Sequence, residues 1–470
     1  MKEKLKKISD YEWLLEKNSR AGMNVDAKII ASKQIIDSAE DTAVEQLTNV
    51  ACLPGIVEPV LGMPDIHWGY GLPMGAVGAF NDKNGVISSG CTGFDINCGI
   101  NLIRTNLTAT DIKPKLKQLM NELFARIPCG VGSKGKLRLS SQELDEVLVR
   151  GVDWAIENGY GTKEDKAATE EQGCMAGADP SKVSDLAKKR GIPQLGTLGA
   201  GNHFLEVQQV SHIFDNEKAK KYGITKQGQV TIMLHCGSRG LGHQVATDYL
   251  RIHSQAARKY KIKLPDPQLV CAPVNSLEGR NYFAAMKCAV NYAFANRLVM
   301  TKWIREAFEA IFKRKWQDMD MHTIYSICHN ICKYEKHILP GTNEKAWLYV
   351  HRKGATRSFP DSPVLIAGTM GTASYLLEGT EKAMRETFGS SCHGSGRTMS
   401  RHAAIRQFRG TEIKEKLELK GEQIRSTHPS VLAEEAPLAY KDVDAVVDSV
   451  VGAGINKKIA RMTPLGVAKG

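Results

Sequence analysis

No run of about twenty apolar residues occurs in this chain of 470, so no stretch reads as a membrane span. Its 11 cysteines include no Cys-x-x-Cys pair, which excludes a zinc ribbon. They are scattered and odd in number, and the opening Met1-Lys2-Glu3-Lys4-Leu5-Lys6-Lys7 has no apolar segment behind it. A secretory signal is therefore not expected; reduced thiols in a cytoplasmic protein are. A Gly-x-x-x-x-Gly-Lys-Ser/Thr loop is also missing, which excludes a P-loop nucleotide site.

The composition, 42% hydrophobic and 24% charged, is that of a globular protein with enough chain for a large core. Lys and Arg exceed Asp and Glu by 63 to 51, a net charge of +12. That excess suits a polyanionic partner such as RNA or DNA, and equally suits solubility. The patterning predicts strands at 74–80 and 99–107 around a glycine-rich loop, and an amphipathic helix at 111–127 closed by Pro128. Segment 133–190, rich in Lys, Glu, Gly and Ala, is expected as a peripheral helical insertion with a mobile loop at 171–180. A strand through Val230, Ile232 and Leu234 delivers His235 at its end. A long helix is expected at 281–312, a strand at 345–351 and a late helix through Val443 to Val450. Strands and helices mix without a regular βαβ rhythm. The expected fold class is therefore α+β, one large domain spanning residues 1–470.

Two segments share a layout: His235-Cys236-Gly237-Ser238-Arg239 and His393-Gly394-Ser395-Gly396-Arg397 each set a histidine four residues ahead of an arginine. Small residues between them let backbone N–H groups approach an anion, and arginine supplies a fork for phosphate. A histidine beside such a phosphate can bind metal, move protons or attack phosphorus. In the tight loop Asp95-Ile96-Asn97-Cys98-Gly99, aspartate and thiolate can aim at one ion, although a turn aspartate and a buried cysteine read the same way. His203, in Gly201-Asn202-His203-Phe204-Leu205-Glu206, and His235 add imidazoles. So does His329, set in an apolar stretch, Ile327 to Ile331, read as helix. Together Asp95, Cys98, His203, His235 and His329 make a donor set that two divalent ions could share, and ligand softness alone favours zinc. His393, in an exposed loop with Arg397 and Arg401, suits a nucleophile that accepts a phosphoryl or nucleotidyl group. The chain has no Lys-x-Asp-Gly lysine-nucleophile motif, which leaves a histidine to carry a covalent nucleotide. The small-residue loop Ala367-Gly368-Thr369-Met370-Gly371-Thr372-Ala373-Ser374 fits a nucleotide pocket. Lys469 reads as a frayed terminal lysine, and His351-Arg352-Lys353-Gly354-Ala355-Thr356-Arg357 as a basic turn that a solvated surface would explain.

The segments Gly62-Met63-Pro64-Asp65-Ile66-His67, Gly93-Phe94-Asp95-Ile96-Asn97-Cys98-Gly99, Gly201 to Glu206, His235 to Gly240 and His393 to Arg397, in that order, resemble the RtcB family of RNA-splicing ligases. The resemblance extends to the terminal Lys469-Gly470. It implies joining of RNA ending in a 2′,3′-cyclic phosphate or 3′-phosphate to RNA with a 5′-hydroxyl, in tRNA splicing or RNA repair, with GTP and two Mn²⁺ ions. It replaces the zinc inference by manganese, held by Asp95, Cys98, His203, His235 and His329. His393 would carry GMP. The implied guanylate contacts are Asn202, His203, Phe204, Leu205, Glu206, His329, Asn330, Ala367, Gly368, Thr369, Met370, Ser374, Gly394, Ser395, Gly396 and Lys469. Arg239, Arg397 and Arg401 are the candidates for RNA phosphates. The same resemblance implies tRNA halves as partners, an archease-type activator, no membrane and a monomer. Many members have alanine where this chain has Ser395, and the segment 359–364 is short. The rival reading is a dinuclear metal-dependent RNA-end phosphatase or cyclic phosphodiesterase, which would share the metal ligands but not need a nucleophilic His393.

Overall fold

In this computed structural model, which describes residues 1–339 and 341–470, two large sheets meet at one residue. One sheet has seven strands, ordered Lys6–Ser9, Glu12–Leu15, Ala27–Ile30, Ile56–His67, Met74–Asn81, Lys345–Lys353, Asn330–Ile338. The other has an eight-stranded arrangement. Its path runs Thr323–Cys328, Gly99–Thr108, Gln229–Cys236, Phe204–Ile213, Asn456–Lys469, Ser374–Gly379, Pro363–Ile366, with Gln423–Ser426 beside Asn456–Lys469. Thr323–Cys328 and Asn330–Ile338 are outer strands of different sheets, and His329 alone separates them. Within these sheets the pairings are antiparallel except Ala27–Ile30 with Ile56–His67 and Gln423–Ser426 with Asn456–Lys469. This is the α+β class expected from the missing βαβ rhythm.

Alternating burial explains the strands. In Gly99–Thr108, Leu102 packs into one core with Phe204 and Met233, while Ile103 and Leu107 face another with Leu205 and Leu234. The helix Leu277–Phe312 is apolar on nearly all sides over its middle turns, because it lies between these layers. Its large buried side chains, among them Met286, Phe294, Leu298, Met300, Ile304 and Phe308, contribute ~1.5–3 kcal/mol each.

The strands predicted at 74–80, 99–107 and 345–351 and through Val230, Ile232 and Leu234 are present, as are the long helix and the late helix Val443–Gly452. The helix expected at 111–127 is split. Thr108 and Asp111 cap a first turn, Ala109–Ile112; Pro114 lies in a 3-10 turn, Lys113–Lys115, and Leu116–Arg126 follows. Proline lacks the N–H that a continuous helix needs. Segment 133–190 is helical in part, with Ser141–Arg150, Val152–Glu157, Lys163–Ala167 and Asp185–Gly191. Its Leu144, Val147, Leu148 and Trp154 pack in the core around the long helix, and its Asp165 forms a buried ion pair with Arg305 at 2.8 Å. Among the described residues no helix is long and apolar enough to cross a membrane.

Candidate metal centre and nucleotide cavity

The stretch around His329 is a strand-to-strand junction rather than the expected helix. Its apolar neighbours alternate between sheet faces, which at this length is indistinguishable from a helical run. The junction matters because it brings His329 beside the end of the loop carrying Asp95 and Cys98. The His329 N–H donates to the Cys98 carbonyl at 2.8 Å, and Asn97 N–H to the Asn330 carbonyl at 2.7 Å. Asn97 adopts φ 52°, a left-handed conformation. Arg297, from the long helix, holds it by donating to both its carbonyl and its side-chain oxygen at 2.9 Å. Arg297 also donates to the Cys236 carbonyl at 2.9 Å. One fully buried guanidinium thus ties the Asp95 loop to the strand that carries His235.

These supports make the donors converge. Cys98 Sγ lies 3.1 Å from His235 Nε2 and 3.3 Å from His203 Nε2. His235 Nε2 is 3.2 Å from His329 Nε2, and His203 Nε2 is 2.8 Å from Asp95 Oδ2. Two three-residue sets result, Cys98–His235–His329 and Asp95–Cys98–His203, with the cysteine common to both. His203 Nδ1 lies 2.9 Å from the Leu198 carbonyl and His235 Nδ1 3.1 Å from the Asn202 carbonyl. A carbonyl only accepts, so each ring carries a proton on Nδ1 and turns Nε2 into the cluster. In His203 that Nε2 meets the Asp95 carboxylate; burial opposes the charge, but Cys98, Cys236 and Asp95 hold the ring well above the usual imidazole range, so a cation must displace its Nε2 proton. Burial, reinforced by neighbouring imidazoles, holds His235 and His329 well below the usual imidazole range, hence neutral. Burial and then Asp95 push the Cys98 thiol up to about 12, so cation binding must displace its proton. A donor set of imidazoles, a carboxylate and a shareable thiolate fits two divalent cations.

Above the cluster lies a cavity of about 570 Å³, within the size range of small-molecule sites. The ring of His393 is 4.5 Å from that of His329, centroid to centroid. His393 follows the short strand Ser390–Cys392, and Asp65, on Ile56–His67, reaches its ring: Oδ2 is 2.6 Å from Nδ1. The same oxygen accepts the His393 backbone N–H at 3.1 Å. With no solvent exposure at Asp65 and 11% at His393, this pair keeps the proton on Nδ1 and leaves Nε2 with a free lone pair. Ser395 Oγ, buried and lining the cavity, has no protein partner. An oxygen-rich ligand there would satisfy it.

Asn202, Phe204, Ala367, Gly368, Thr369, Met370, Gly394, Ser395, Gly396, Arg397, Arg401 and Lys469 all line this cavity. Lys469 is buried rather than frayed. It ends the strand Asn456–Lys469, pairs in register with Phe204, and places Nζ 3.7 Å from Glu435. Glu206 is 2% exposed, and burial pushes its carboxyl up to about 8. Other candidates sit elsewhere. Leu205 alternates to the far face of its strand and packs in the core beside Leu198 and Leu234. His203 and His329 belong to the donor cluster below the cavity. Asn330 braces the junction, donating to the Asp95 carbonyl at 3.1 Å and accepting Gly354 N–H at 2.9 Å. Ser374 Oγ supports the 367–374 loop by accepting Gly368 N–H at 3.2 Å. Arg239 is not among the cavity-lining residues; its Nε donates to Thr197 Oγ1 at 3.1 Å. Arg397 spends its fork on protein groups: Glu435, the Tyr440 hydroxyl and the Glu434 carbonyl. The basic turn at 351–357 is interior. Arg352 pairs with Glu335 at 2.8 Å, and Arg357 with Glu171 at 2.7 Å, beside the Lys333–Glu170 pair.

Asp65, Glu435 and Tyr440 also build the site, without a catalytic or ligand motif of their own in the sequence. Asp65 lies in a segment that carries the family resemblance, whereas Glu435 follows a second glutamate on a short helix and leaves no local signature.

Fold and site together define an α+β protein of two large sheets with a candidate dinuclear metal centre under a cavity that a histidine borders. A family model described as tRNA-splicing ligase RtcB matches residues 46–470. A protein named tRNA-splicing ligase RtcB from Archaeoglobus fulgidus is 54% identical over 99% of both chains. Those of the same name from Methanococcus maripaludis and Thermococcus kodakarensis are 50% identical over 100% of both chains and 52% over 99% of both. The chain belongs to the RtcB family.

Proposed function

We propose that this protein is a GTP- and Mn²⁺-dependent RNA ligase acting in tRNA splicing or RNA repair. It would join 2′,3′-cyclic phosphate or 3′-phosphate ends to 5′-hydroxyl ends. Family membership supports the RNA-ligase activity. The observation that carries the mechanism is the Asp65–His393 contact at 2.6 Å, which frees one imidazole lone pair inside a cavity lined by small-residue loops.

His393 Nε2 bonds to the α-phosphorus of GTP while the bond to the bridging oxygen breaks and pyrophosphate departs. Asp65 holds the Nδ1 proton and balances the charge the ring acquires. The Gly394 to Gly396 amides and Ser395 Oγ surround the phosphate. Glu206, as carboxylate, accepts from the guanine N1–H and 2-amino groups, and Lys469, Asn202 and Thr369 complete the guanylate contacts. A cyclic RNA end is first hydrolysed to the 3′-phosphate. That phosphate then takes GMP from His393, breaking the P–N bond and giving an RNA-3′-pp-5′-G end. The 5′-hydroxyl attacks the RNA phosphorus and GMP leaves, a far better leaving group than hydroxide. Asp95, Cys98, His203, His235 and His329 would hold divalent cations, which would supply positive charge to offset the phosphates. The 11 free cysteines support a reducing, cytoplasmic setting.

The test is incubation with α-labelled GTP and Mn²⁺. Acid-labile, alkali-stable label on the wild type, absent from His393→Ala, supports the ligase. No label on folded, metal-loaded protein leaves the metallophosphatase reading.

A further inference from the structure

Asp65 lies where its strand loses its neighbours. Ile56–His67 pairs with Ala27–Ile30 only as far as Gly62, and its register with Met74–Asn81 breaks between Gly62 and His67. Carbonyls in this stretch turn instead to side chains. Lys441, 7% exposed, donates from Nζ to the Pro64 carbonyl at 3.0 Å and to the Ile66 carbonyl. The Asp65 carbonyl between them accepts from His67 Nδ1 at 2.8 Å. The backbone N–H of Lys441 donates to the Gly396 carbonyl at 2.9 Å, and the preceding Tyr440 bridges Arg397. One residue, absent from the cavity lining, thus holds both the strand that carries Asp65 and the loop that carries His393. Strand and loop are in direct contact. Gly396 adopts φ 72°, and a Cβ there would come within 2.2 Å of the Asp65 carbonyl oxygen.

The charges are arranged to match. Asp65 has no exposure, and its Oδ1 has no hydrogen-bond partner among the described residues. A carboxylate so buried needs a compensating cation. Burial pulls the Lys441 ammonium down to about 8, while Asp65, Glu40 and Cys392 oppose that shift. The ionised form of Asp65 matters to His393. A neutral carboxylic acid would donate to Nδ1, put the ring proton on Nε2 and remove the lone pair that bonds to phosphorus.

We propose that Lys441 is a positioning residue for guanylylation: its ammonium keeps Asp65 ionised and in place behind His393, and its backbone ties the phosphate-facing loop to the same support. The assignment rests on the ligase reading. Lys441 touches neither GTP nor RNA in this scheme, and acts only through Asp65 and the loop.

The test uses the full-length, Mn²⁺-loaded protein. Single-turnover labelling at varied α-labelled GTP gives a limiting rate and a half-saturating concentration. Lys441→Met keeps the stem and removes the charge and the donors. Its limiting rate should fall on the order of 10²-fold, the scale of a small misplacement of reacting groups. Its half-saturating concentration and bound manganese should stay at the wild-type level, because ground-state binding is untouched. Lys441→Arg, which keeps cation and donors, should recover most of the rate. Proton NMR adds a direct readout: the ring N–H resonance of the Asp65–His393 bond, assigned by its absence from His393→Ala, should move or vanish in Lys441→Met and persist in Lys441→Arg. A wild-type limiting rate in folded Lys441→Met overturns the proposal, whether or not half-saturation rises. So does a lost rate with an unchanged resonance, which would put Lys441 to work on the loop alone. Should thermal melting show that Lys441→Met does not fold, Lys441→Gln, which keeps a donor without the charge, is judged by the same two measures. If the wild type takes no label, the ligase reading falls and the resonance decides. Its loss in Lys441→Met upholds the hold on Asp65, and its persistence overturns it.

Discussion

His235 to Arg239 and His393 to Arg397 look alike in sequence, and the fold gives them different work. His235 ends a central strand, faces the Asn202 carbonyl through Nδ1, and is buried in the donor cluster. His393 ends a short strand at the seam between sheets, faces the Asp65 carboxylate through Nδ1, and borders the open cavity. A carbonyl fixes the tautomer of a ring that stays neutral, as a metal ligand must. A carboxylate fixes the same tautomer and also compensates positive charge, as a ring bonded to phosphorus needs. The arginines differ too: Arg239 opens a helix with φ 55° and donates to Thr197, whereas Arg397 is locked to Glu435. In the proposed mechanism the identity of the group behind each histidine, rather than the motif, separates ligand from nucleophile.

Removing each ring breaks the comparison most sharply. His393→Ala should abolish labelling by GTP while metal content, measured by elemental analysis, stays at the wild-type level. His235→Ala should lose both. Cys98→Ala should resemble His235→Ala more severely, because both donor sets share that sulfur. Near-normal labelling by Cys98→Ala would refute the shared-thiolate assignment.

Changing the group behind His393 is the next largest effect. Asp65→Asn can offer an amide N–H to Nδ1, which moves the ring proton to Nε2 and removes the lone pair. A loss of labelling on the order of 10²–10⁴-fold is expected, with metal content unchanged, by analogy with the tautomer error of an Asp→Asn change in a hydrolase triad. Labelling within a few-fold of wild type would show that Asp65 does not set the tautomer.

Much of this arrangement was legible in the chain. The strand leading to His235 shows in alternating Val230, Ile232 and Leu234, and the Asp95 to Gly99 loop in its glycine-bounded polar residues. Long-range pairing was not legible. His329 sits in an apolar run that suits helix or strand, and only the neighbouring strands of two sheets make it a junction. Lys469 read as frayed because nothing local says that the last strand runs between Phe204–Ile213 and Ser374–Gly379. The 351–357 cluster read as surface because its carboxylates, Glu170, Glu171 and Glu335, arrive from distant segments.

The guanylate side sharpens the contrast through pH. Burial is the largest cause that lifts Glu206 to about 8; Glu422 adds to it, while Gln208 and Lys469 oppose it. Guanine presents donors at N1 and the 2-amino group, so it binds the ionised carboxylate. Below pH 8 binding then releases a proton, and affinity falls as pH falls, by up to about tenfold per unit. Guanosine, which has no phosphate, reports this on metal-free protein without interference from Cys98. Its Kd should tighten from pH 6.5 to 8 and level off above, and Glu206→Gln should flatten the profile. A flat wild-type profile would remove Glu206 from guanine recognition.

The smallest effect separates the two arginines that follow His393. Arg397 has 13% side-chain exposure and its donors are taken by Glu435, Tyr440 and the Glu434 carbonyl. Arg401 is 52% exposed and paired with Glu434 at 2.9 Å, a contact a phosphate can replace because exposed pairs contribute only ~0–1 kcal/mol. Arg401→Ala should therefore weaken RNA binding a few-fold and lower the slope of log affinity against log salt by about 1, while the fold holds. Arg397→Ala should instead leave Glu435 buried against Lys469 with one cation fewer, so its loss appears first in thermal stability and in GTP labelling. If Arg397→Ala lowered the salt slope and Arg401→Ala did not, the roles would be reversed, and the Arg397–Glu435 pair would have to open to admit RNA.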